Sequence, residues 1–201
     1  MSLEKITKYL KQENLSAILL NTKCEFLAEF ANPLQNILLQ ACGFTGSNGI
    51  CLIRASGKHL FLTDSRYLTQ AKGEISKDFQ IFDLAEISIA MLISEHFTAN
   101  DKIIFPAKNF LAAQILNIKK LNNNIEFLAD NSNPLAKILP VKKIKTEKIW
   151  LHNENMAINN IAKKHKLLNL AAAQNGYFCS DAASISWFLN IRGKDCDVSP
   201  L

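Results

Sequence analysis

The chain has 201 residues, of which 48% are hydrophobic and 20% charged, and its formal net charge is +5. This composition is typical of one globular domain, or of one domain and part of another, and it excludes disordered and fibrous classes. No apolar run reaches the roughly 18–20 residues that cross a bilayer, and the N-terminus lacks the order of a signal peptide. We therefore predict a cytoplasmic protein with no membrane partner.

The chain begins with a predicted order of helix, strand and helix. Apolar residues recur at helical spacing over residues 3–14, and a short apolar run over 16–21 is typical of a strand buried in a sheet. A second helix is predicted over 24–31. It ends before Asn32 and Pro33, because the residue that precedes a proline avoids the helical region.

Two strands, 49–54 and 59–63, follow with Ala-Ser-Gly-Lys between them, which predicts an antiparallel hairpin. Asp64 can cap a helix over 65–72, and Gly73 is expected to end that helix. Further predicted elements are strand 79–82, helix 85–97, strand 102–105, helix 109–121 and strand 125–128. This alternation predicts an α/β fold, with helices on both faces of a sheet that the hairpin makes mixed.

The pattern restarts after Lys137. A helix over 156–169, a short strand over 176–179 and a helix over 184–190 echo the start of the chain and suggest an unfinished copy of the first domain. The predicted organisation is a first domain at 1–137, a lysine-rich linker at 138–149 and an incomplete second domain of the same type at 150–201.

Much of the positive charge lies at the linker, in lysines 137, 142, 143, 145 and 148. We interpret this run as solvated and predict no nucleic-acid partner, because no aromatic residues lie among the lysines to stack on bases. A nucleic-acid binder is the alternative, and strongly salt-dependent binding would identify it.

Cysteines and histidines predict no metal site. The five cysteines (24, 42, 51, 179 and 196) are odd in number and far apart, which predicts reduced and mostly buried thiols. The four histidines (59, 96, 152 and 165) form no ligand motif. We therefore expect this chain to bind no metal and no other cofactor.

Two motifs flank the hairpin. Gly43-Phe-Thr-Gly-Ser-Asn-Gly49 lacks the Gly-Lys-Ser/Thr of a P-loop and the helix of a dinucleotide site, so we interpret it as a tight turn with glycines at positive φ rather than a phosphate cradle. Thr63-Asp-Ser-Arg-Tyr67 lies at a strand end, where ligands commonly bind. Two roles stay open for Arg66, which either pairs with a surface carboxylate or contacts a ligand.

These motifs resemble first-domain signatures of the three-domain Xaa-Pro aminopeptidases (aminopeptidase P, of the creatinase/prolidase group), namely Gly-Phe-Thr-Gly-Ser-x-Gly and Thr-Asp-Gly-Arg-Tyr, with Ser65 replacing a glycine. Lys148-Ile-Trp150 matches the end of that domain, and Ile185-Ser-Trp-Phe-Leu-Asn-Ile-Arg-Gly193 resembles a stretch of the second. Glu29-Phe-Ala31 matches only part of a family loop, because the preceding Asp-x-His elements are missing.

The resemblance implies a creatinase-type N-terminal domain and the start of a second, without the catalytic third domain. In that family two divalent metal ions, usually manganese, lie in the third domain and activate water for hydrolysis. No catalytic residue or metal ligand is therefore expected here, and Arg66 is the one substrate-binding residue that the resemblance implies. Its guanidinium is suited to holding a peptide carbonyl or carboxylate.

The implied substrates are peptides with proline in second position, and the implied full-length protein is a homodimer. The isolated chain is then expected to be inactive and to contribute to capping of the substrate pocket and to oligomer assembly. The alternative is a free-standing or truncated module that binds or assembles without hydrolysis. In the second domain, Trp187 is interpreted as core and Arg192-Gly193 as a helix end, while apolar surface around Phe178 and Trp187 is expected to be exposed or covered by another chain.

Overall fold

The computed structural model describes residues 2–28, 32–132, 134–138, 147–153, 159–171 and 178–194. The chain divides into two compact units, residues 1–142 and 143–201. The division falls within the lysine-rich segment, most of which lies outside the described residues. That this segment is a linker, and that the second unit is an incomplete copy of the first, stay predictions.

The first unit alternates helices and strands. Its helices are α1 (Ser2–Gln12), α2 (Ile37–Cys42), α3 (Leu68–Glu74), α4 (Ile89–His96) and α5 (Ala112–Leu121). Its strands are β1 (Ala17–Asn21), β2 (Ile50–Arg54), β3 (His59–Thr63), β4 (Phe79–Asp83), β5 (Lys102–Pro106) and β6 (Glu126–Asp130). Short 3-10 turns lie at Ser65–Tyr67, Ala107–Asn109 and Pro134–Lys137.

The six strands form one mixed sheet in the order β4-β3-β2-β1-β5-β6. Strand β2 is antiparallel to β1 and to β3, while the other neighbouring pairs are parallel. The C-terminal ends of β1, β3, β4, β5 and β6 therefore lie at one edge of the sheet, together with the beginning of β2. The predicted α/β fold with a mixed sheet is confirmed.

Each face of the sheet has its own hydrophobic core, because alternate strand residues point to opposite sides. One core packs against α1, α2 and α3 and includes Ile18 and Phe61. The other packs against α4 and α5 and includes Leu19 and Leu60. Helices cover both faces, as the alternation of elements predicts.

The prediction of a helix over 24–31 is wrong for residues 24–28, which are the ones that the structure describes. Residues 24–28 contain a turn in which Leu27 donates its N–H to the Cys24 carbonyl (2.9 Å) and adopts a left-handed φ of 56°. The side chain of Asn21 directs this path, since it donates to the Asn109 carbonyl (2.7 Å) and accepts the N–H of Lys23 (3.1 Å). Residues 29–31 lie outside the described part of the chain.

Helix α2 forms where the sequence analysis assigns no element. Asn36 caps it by accepting the N–H of Leu39 (3.0 Å), and Gly43 ends it with a left-handed φ of 84°. At only six residues the helix is too short for apolar periodicity to reveal it. Its cap and its terminal glycine are the signals that remain in the sequence.

Gly73 does not end α3, which continues to Glu74. Among the described glycines, positive φ values occur at Gly43 and Gly57. The last turn of α3 is instead stabilised from outside, because the Glu74 carboxylate accepts the backbone N–H (2.8 Å) and the hydroxyl (2.7 Å) of Thr45. Asp64 caps the preceding 3-10 turn, as predicted, by accepting the N–H of Arg66 (3.1 Å).

Two other helices begin later than predicted. Before α4, Asp83 accepts the N–H of Ala85 (2.9 Å) and holds a turn, so that Ser88 becomes the N-cap. Helix α5 begins at Ala112, because residues 107–109 already form a 3-10 turn. Polar side chains in these turns compete with the helical pattern that the apolar residues suggest.

The described part of the second unit contains two helices and a short antiparallel pair of strands. Its elements are β7 (Trp150–Leu151), α6 (Asn160–Ala171), α7 (Ala182–Leu189) and β8 (Ile191–Arg192). The strand predicted over 176–179 is wrong for residues 178 and 179, which lie in no strand, and residues 176 and 177 lie outside the described part. The first residues of the helix predicted over 156–169 also fall there.

Arg192 and Gly193 do not end α7. Asn190, at a left-handed φ of 53°, ends the helix by donating its N–H to the Ser186 and Trp187 carbonyls, and Arg192 lies in β8. Trp187 is 44% exposed, so its interpretation as a core residue is wrong, and Phe178 is 90% exposed. The apolar surface expected around these two residues is exposed.

Lys163 is a buried cation at the C-terminal end of α7. Its ammonium group donates to the Trp187 carbonyl and to Oδ1 of Asn190, and it lies 4.5 Å from the centre of the Trp187 ring. Carbonyl groups at a helix C-terminus attract a positive charge. Burial, with a smaller contribution from Arg192, lowers the pKa of Lys163. The Trp187 ring therefore packs against a cation on one side and is 44% exposed.

Gly46→Ala is expected to lower the free energy of unfolding by about 1–3 kcal/mol. An added Cβ would lie 2.4 Å from Cζ of Phe44 and 3.0 Å from Cδ1 of Tyr67, and the Phe44 ring is fully buried. Gly73→Ala is the matched control, because its Cβ would meet no atom within 4 Å. Alanine within that helix should stabilise by about 0.5–1 kcal/mol. Chemical denaturation measures both changes, and equal effects would show that the Phe44 ring can move aside.

Candidate functional site

The edge of the sheet at which β3 ends and β2 begins brings the two sequence motifs together. We call residues Gly43–Gly49 the glycine loop. Thr63, the last residue of β3, donates its hydroxyl to the Asn48 carbonyl (2.6 Å). On the other side, Thr22 donates its N–H to the Gly49 carbonyl (3.1 Å) and its hydroxyl to the Ser47 carbonyl (2.9 Å). The glycine loop is therefore fixed between the ends of β1 and β3.

A buried aromatic ring supports the glycine loop from below. Phe44 packs edge to face against Phe61, with ring centres 4.9 Å apart, and against Tyr67 at 5.9 Å. Gly46 and Gly49 lie so close to these rings that any side chain would overlap them. The loop is a tight turn that leads into β2, as interpreted. Positive φ is needed at Gly43, whereas Gly46 and Gly49 are needed for close packing.

Helix α3 holds the outer side of the glycine loop. Glu74 accepts two hydrogen bonds from Thr45, and Gln70 donates to Thr45 Oγ1 (2.8 Å) and to Glu74 Oε1 (2.9 Å). Burial raises the pKa of Glu74, but the hydrogen bonds from Thr45 and Gln70 outweigh it and leave the pKa below its usual value. The hydroxyls of Ser47 and Tyr67 are 3.0 Å apart and form a further hydrogen bond.

Arg66 and Asp64 form a two-point ion pair on this support. Nε of Arg66 donates to Oδ1 of Asp64 (2.8 Å), and Nη2 donates to Oδ2 (3.0 Å). Asn48 of the glycine loop donates to the same Oδ2 (2.8 Å). The Arg66 side chain is 70% exposed and that of Asp64 only 23%. The guanidinium carbon also lies 5.2 Å from the centre of the Tyr67 ring.

The charge of Asp64 is stabilised by its surroundings. The hydrogen bonds from the Arg66 side chain, which are the largest cause, hold the pKa of Asp64 far below its usual range, and Asn48 and the Arg66 N–H add to the effect. Asp64 is therefore ionised wherever the protein is folded near neutral pH. The arrangement presents a guanidinium in a defined orientation, which suits binding of a carbonyl or carboxylate group.

The structure answers one of the two questions that the sequence leaves open for Arg66. Arg66 does pair with a surface carboxylate, and Asp64 does cap the following turn. Contact of Arg66 with a substrate stays a prediction. Asn48 is a site residue that sequence reasoning missed. The signal that could have indicated it is the position of the two motifs on either side of one hairpin, which places them at the same edge of the sheet.

One feature matched in the sequence lies outside the described residues, and two kinds of site do not occur within them. The family loop at Glu29-Phe-Ala31 lies outside them. Within the described ranges there is no group of three or more His, Cys, Asp or Glu side chains that could hold a metal ion. None of the helices in that part of the chain is long and apolar enough to cross a membrane.

The described cysteines carry free thiols. Cys24 and Cys51 are buried, and Cys42 and Cys179 are partly exposed. Burial raises the pKa of the Cys51 thiol well above its usual value. These four residues form no disulfide with one another, and two of them are buried, whereas the sequence predicts that most are. That the thiols are reduced stays a prediction, and the fifth cysteine lies outside the described part of the chain.

Comparison with known proteins identifies the family of the first unit. The model of the family described as the Creatinase/Prolidase N-terminal domain matches residues 3–137. The chain belongs to this family. The match covers the whole of the six-stranded sheet and includes both motifs of the candidate site. It confirms the family resemblance that the two motifs indicate.

Relatives of this creatinase/prolidase-type chain include much longer proteins. The Xaa-Pro aminopeptidase 1 of Dictyostelium discoideum is 22% identical over an alignment of 215 positions, which covers 98% of this chain and 34% of that protein. The crystal structure of an X-prolyl aminopeptidase from Caenorhabditis elegans, a cytosolic enzyme with a di-nuclear active site, has a TM-score of 0.83 at 18% identity. That comparison covers the whole of this chain and 36% of the enzyme.

A second solved structure supports the same fold assignment. The X-Pro aminopeptidase from Thermotoga maritima has a TM-score of 0.52 at 18% identity, with 86% of this chain and 43% of that one covered. At these identities the structural likeness concerns the fold alone. The chain spans about a third of the length of the curated relative from Dictyostelium.

Proposed function

We propose that this chain is the non-catalytic N-terminal region of a metal-dependent Xaa-Pro aminopeptidase, an enzyme that removes an N-terminal residue preceding proline. The observation that carries the proposal is the family match over residues 3–137. It is supported by the alignment of nearly the whole chain with about a third of an Xaa-Pro aminopeptidase. The substrates are then peptides with proline in second position.

In this proposal the first unit contributes to binding and not to chemistry. Two divalent metal ions, which we expect to be manganese, would lie in a catalytic domain outside this chain and supply the activated water. The support is the di-nuclear active site named for the Caenorhabditis elegans enzyme, together with the lack of a metal-binding group in the part of this chain that the structure describes. Arg66 would reach the peptide from the edge of the sheet and help to cap the pocket.

The proposal includes the surroundings of the whole protein. We expect it to be a cytoplasmic homodimer, and the description of the Caenorhabditis elegans enzyme as cytosolic supports the location. The exposed apolar side chains of the second unit, Phe178 and Trp187, are suited to assembly with a further domain or a second copy. The alternative is a module that binds or assembles without hydrolysis, and activity separates the two.

Incubation with manganese is expected to leave the thermal midpoint of the 201-residue chain unchanged, because a ligand that does not bind the native state cannot stabilise it. The chain alone should cleave no Xaa-Pro peptide, whereas the full-length protein with manganese should release the N-terminal residue. The measurements are thermal denaturation and release of the free amino acid. A shift of several degrees or turnover by the chain alone would contradict the proposal, and an inactive full-length protein would favour the binding module.

A further inference from the structure

We propose that Asp64 is a positioning residue whose carboxylate, anchored by Asn48, fixes the guanidinium of Arg66 in the direction needed for contact with the peptide. The inference rests on the proposed substrate contact of Arg66 and extends it to two residues that do not themselves reach the substrate. It also gives the glycine loop a functional task, since Asn48 belongs to that loop.

The first step is the pairing of Arg66. An exposed arginine samples many rotamers, and a ligand that binds it must first restrict them. Here Nε and Nη2 of Arg66 donate to the two oxygens of Asp64 at 2.8 and 3.0 Å, while the side chain stays 70% exposed. Two parallel hydrogen bonds fix both the position and the plane of the guanidinium. The pair thus restricts the guanidinium before a peptide arrives.

The second step is the anchoring of Asp64 itself. Its Oδ2 accepts a hydrogen bond from Asn48 (2.8 Å), and the Asn48 carbonyl in turn accepts one from Thr63 (2.6 Å). A continuous series of hydrogen bonds therefore runs from the end of β3 through the glycine loop to Arg66. Asp64 is thus held by Asn48 as well as by Arg66, which limits the freedom that its carboxylate would otherwise have on the surface.

The third step separates this role from capping. Asp64 also accepts the backbone N–H of Arg66 (3.1 Å) as the N-cap of the turn. In Asp64→Asn the side-chain oxygen can still accept that N–H, since asparagine is as good an N-cap as aspartate. An amide has one acceptor oxygen and no charge, so the two-point pair with Arg66 is lost. The substitution therefore removes positioning and keeps the cap.

The experiment is a double-mutant cycle in the full-length enzyme, with kcat and KM measured for an Xaa-Pro peptide. Asp64→Asn is expected to raise KM roughly threefold to tenfold with a smaller change in kcat. The same substitution in an Arg66→Ala background should change KM less than twofold, because the residue on which Asp64 acts is gone. Asn48→Ala should give a smaller rise in KM, which also disappears in that background.

The matched control is Asp101→Asn. Asp101 is also a surface carboxylate that caps a turn, accepting the N–H of Thr98 (2.7 Å), and it precedes β5 at the opposite edge of the sheet. It should leave KM within twofold. A readout independent of activity is the Nε–H signal of Arg66 in nuclear magnetic resonance of the 201-residue chain. Its order parameter should fall in Asp64→Asn and stay unchanged in Asp101→Asn.

The outcomes distinguish this inference from the proposed function. If Arg66→Ala raises KM but Asp64→Asn does not, Arg66 contacts substrate without the help of Asp64 and the inference is wrong. An equal effect of Asp64→Asn with and without Arg66 would show a structural role and also overturn it. If Arg66→Ala has no effect on KM, the substrate contact and the inference fail together.

Discussion

Arg66→Ala in the full-length enzyme is expected to raise KM more than it lowers kcat, with kcat/KM falling roughly tenfold to a hundredfold. The fall corresponds to loss of one charge-assisted hydrogen bond, worth about 1.5–3 kcal/mol. A residue that completes a pocket from a neighbouring domain should bind the ground state and the transition state about equally, which is why KM carries the effect. The measurement is steady-state kinetics with short and long Xaa-Pro peptides.

The control for this prediction is Lys72→Ala, which removes the same charge from an exposed position on α3. It should leave kcat/KM within twofold, so that a general electrostatic effect can be separated from a contact. Metal content should be the same in both variants, because the metal ions are expected in another domain. If Arg66→Ala leaves kcat/KM within twofold for every peptide, Arg66 serves only as the surface partner of Asp64.

Phe44→Ala should produce the largest loss of stability, about 3–5 kcal/mol in the free energy of unfolding of the first unit. The Phe44 ring is fully buried, packs against Phe61 and Tyr67, and fills the space beneath the glycine loop. Its removal would leave a cavity that the surrounding sheet cannot fill without distortion. Because the loop carries Asn48, the ion pair of Asp64 should loosen in the same variant.

Urea denaturation followed by circular dichroism measures this loss. Phe26→Ala is the matched control, since it deletes the same group from a side chain that is 63% exposed, and it should change stability by less than about 0.5 kcal/mol. A change below 1 kcal/mol in Phe44→Ala would mean that the ring does not support the loop. A loss in Phe26→Ala as large as that in Phe44→Ala would show that burial of the ring does not decide the effect.

The sequence predicts the elements of the first unit where local pattern decides them. The strands at β1, β2 and β3 follow from apolar runs and from turn residues between them, and the α/β class follows from alternation with helices. The segment after β1 could not be predicted in this way. Its path depends on the hydrogen bond from Asn21 to the Asn109 carbonyl, 88 residues along the chain, and no local window contains that information.

The candidate site was predictable only in part, for a similar reason. Arg66 and the cap at Asp64 are visible in one short motif, but the bond from Asn48 joins residues 16 positions apart. The prediction that Gly73 ends α3 is wrong for the same kind of reason. The Glu74 carboxylate, which stabilises the last turn of α3, accepts a hydrogen bond from Thr45 in a distant loop. The strand pair β7–β8 in the second unit joins segments about forty residues apart, and their two-residue strands carry no periodicity.

The reversed direction of β2 has a consequence for how substitutions in the core affect the surface. Register between β2 and β3 pairs Ile50 with Leu62 and Cys51 with Phe61. A slip of one residue would send Phe61 to the other face of the sheet and would displace Asn48 from Asp64 by roughly 3.4 Å, which is longer than a hydrogen bond. The apolar side chains in the interior of the hairpin thus set the distance between Asn48 and Asp64 at its open end. Substitutions of those apolar residues are therefore limited to ones that keep this distance.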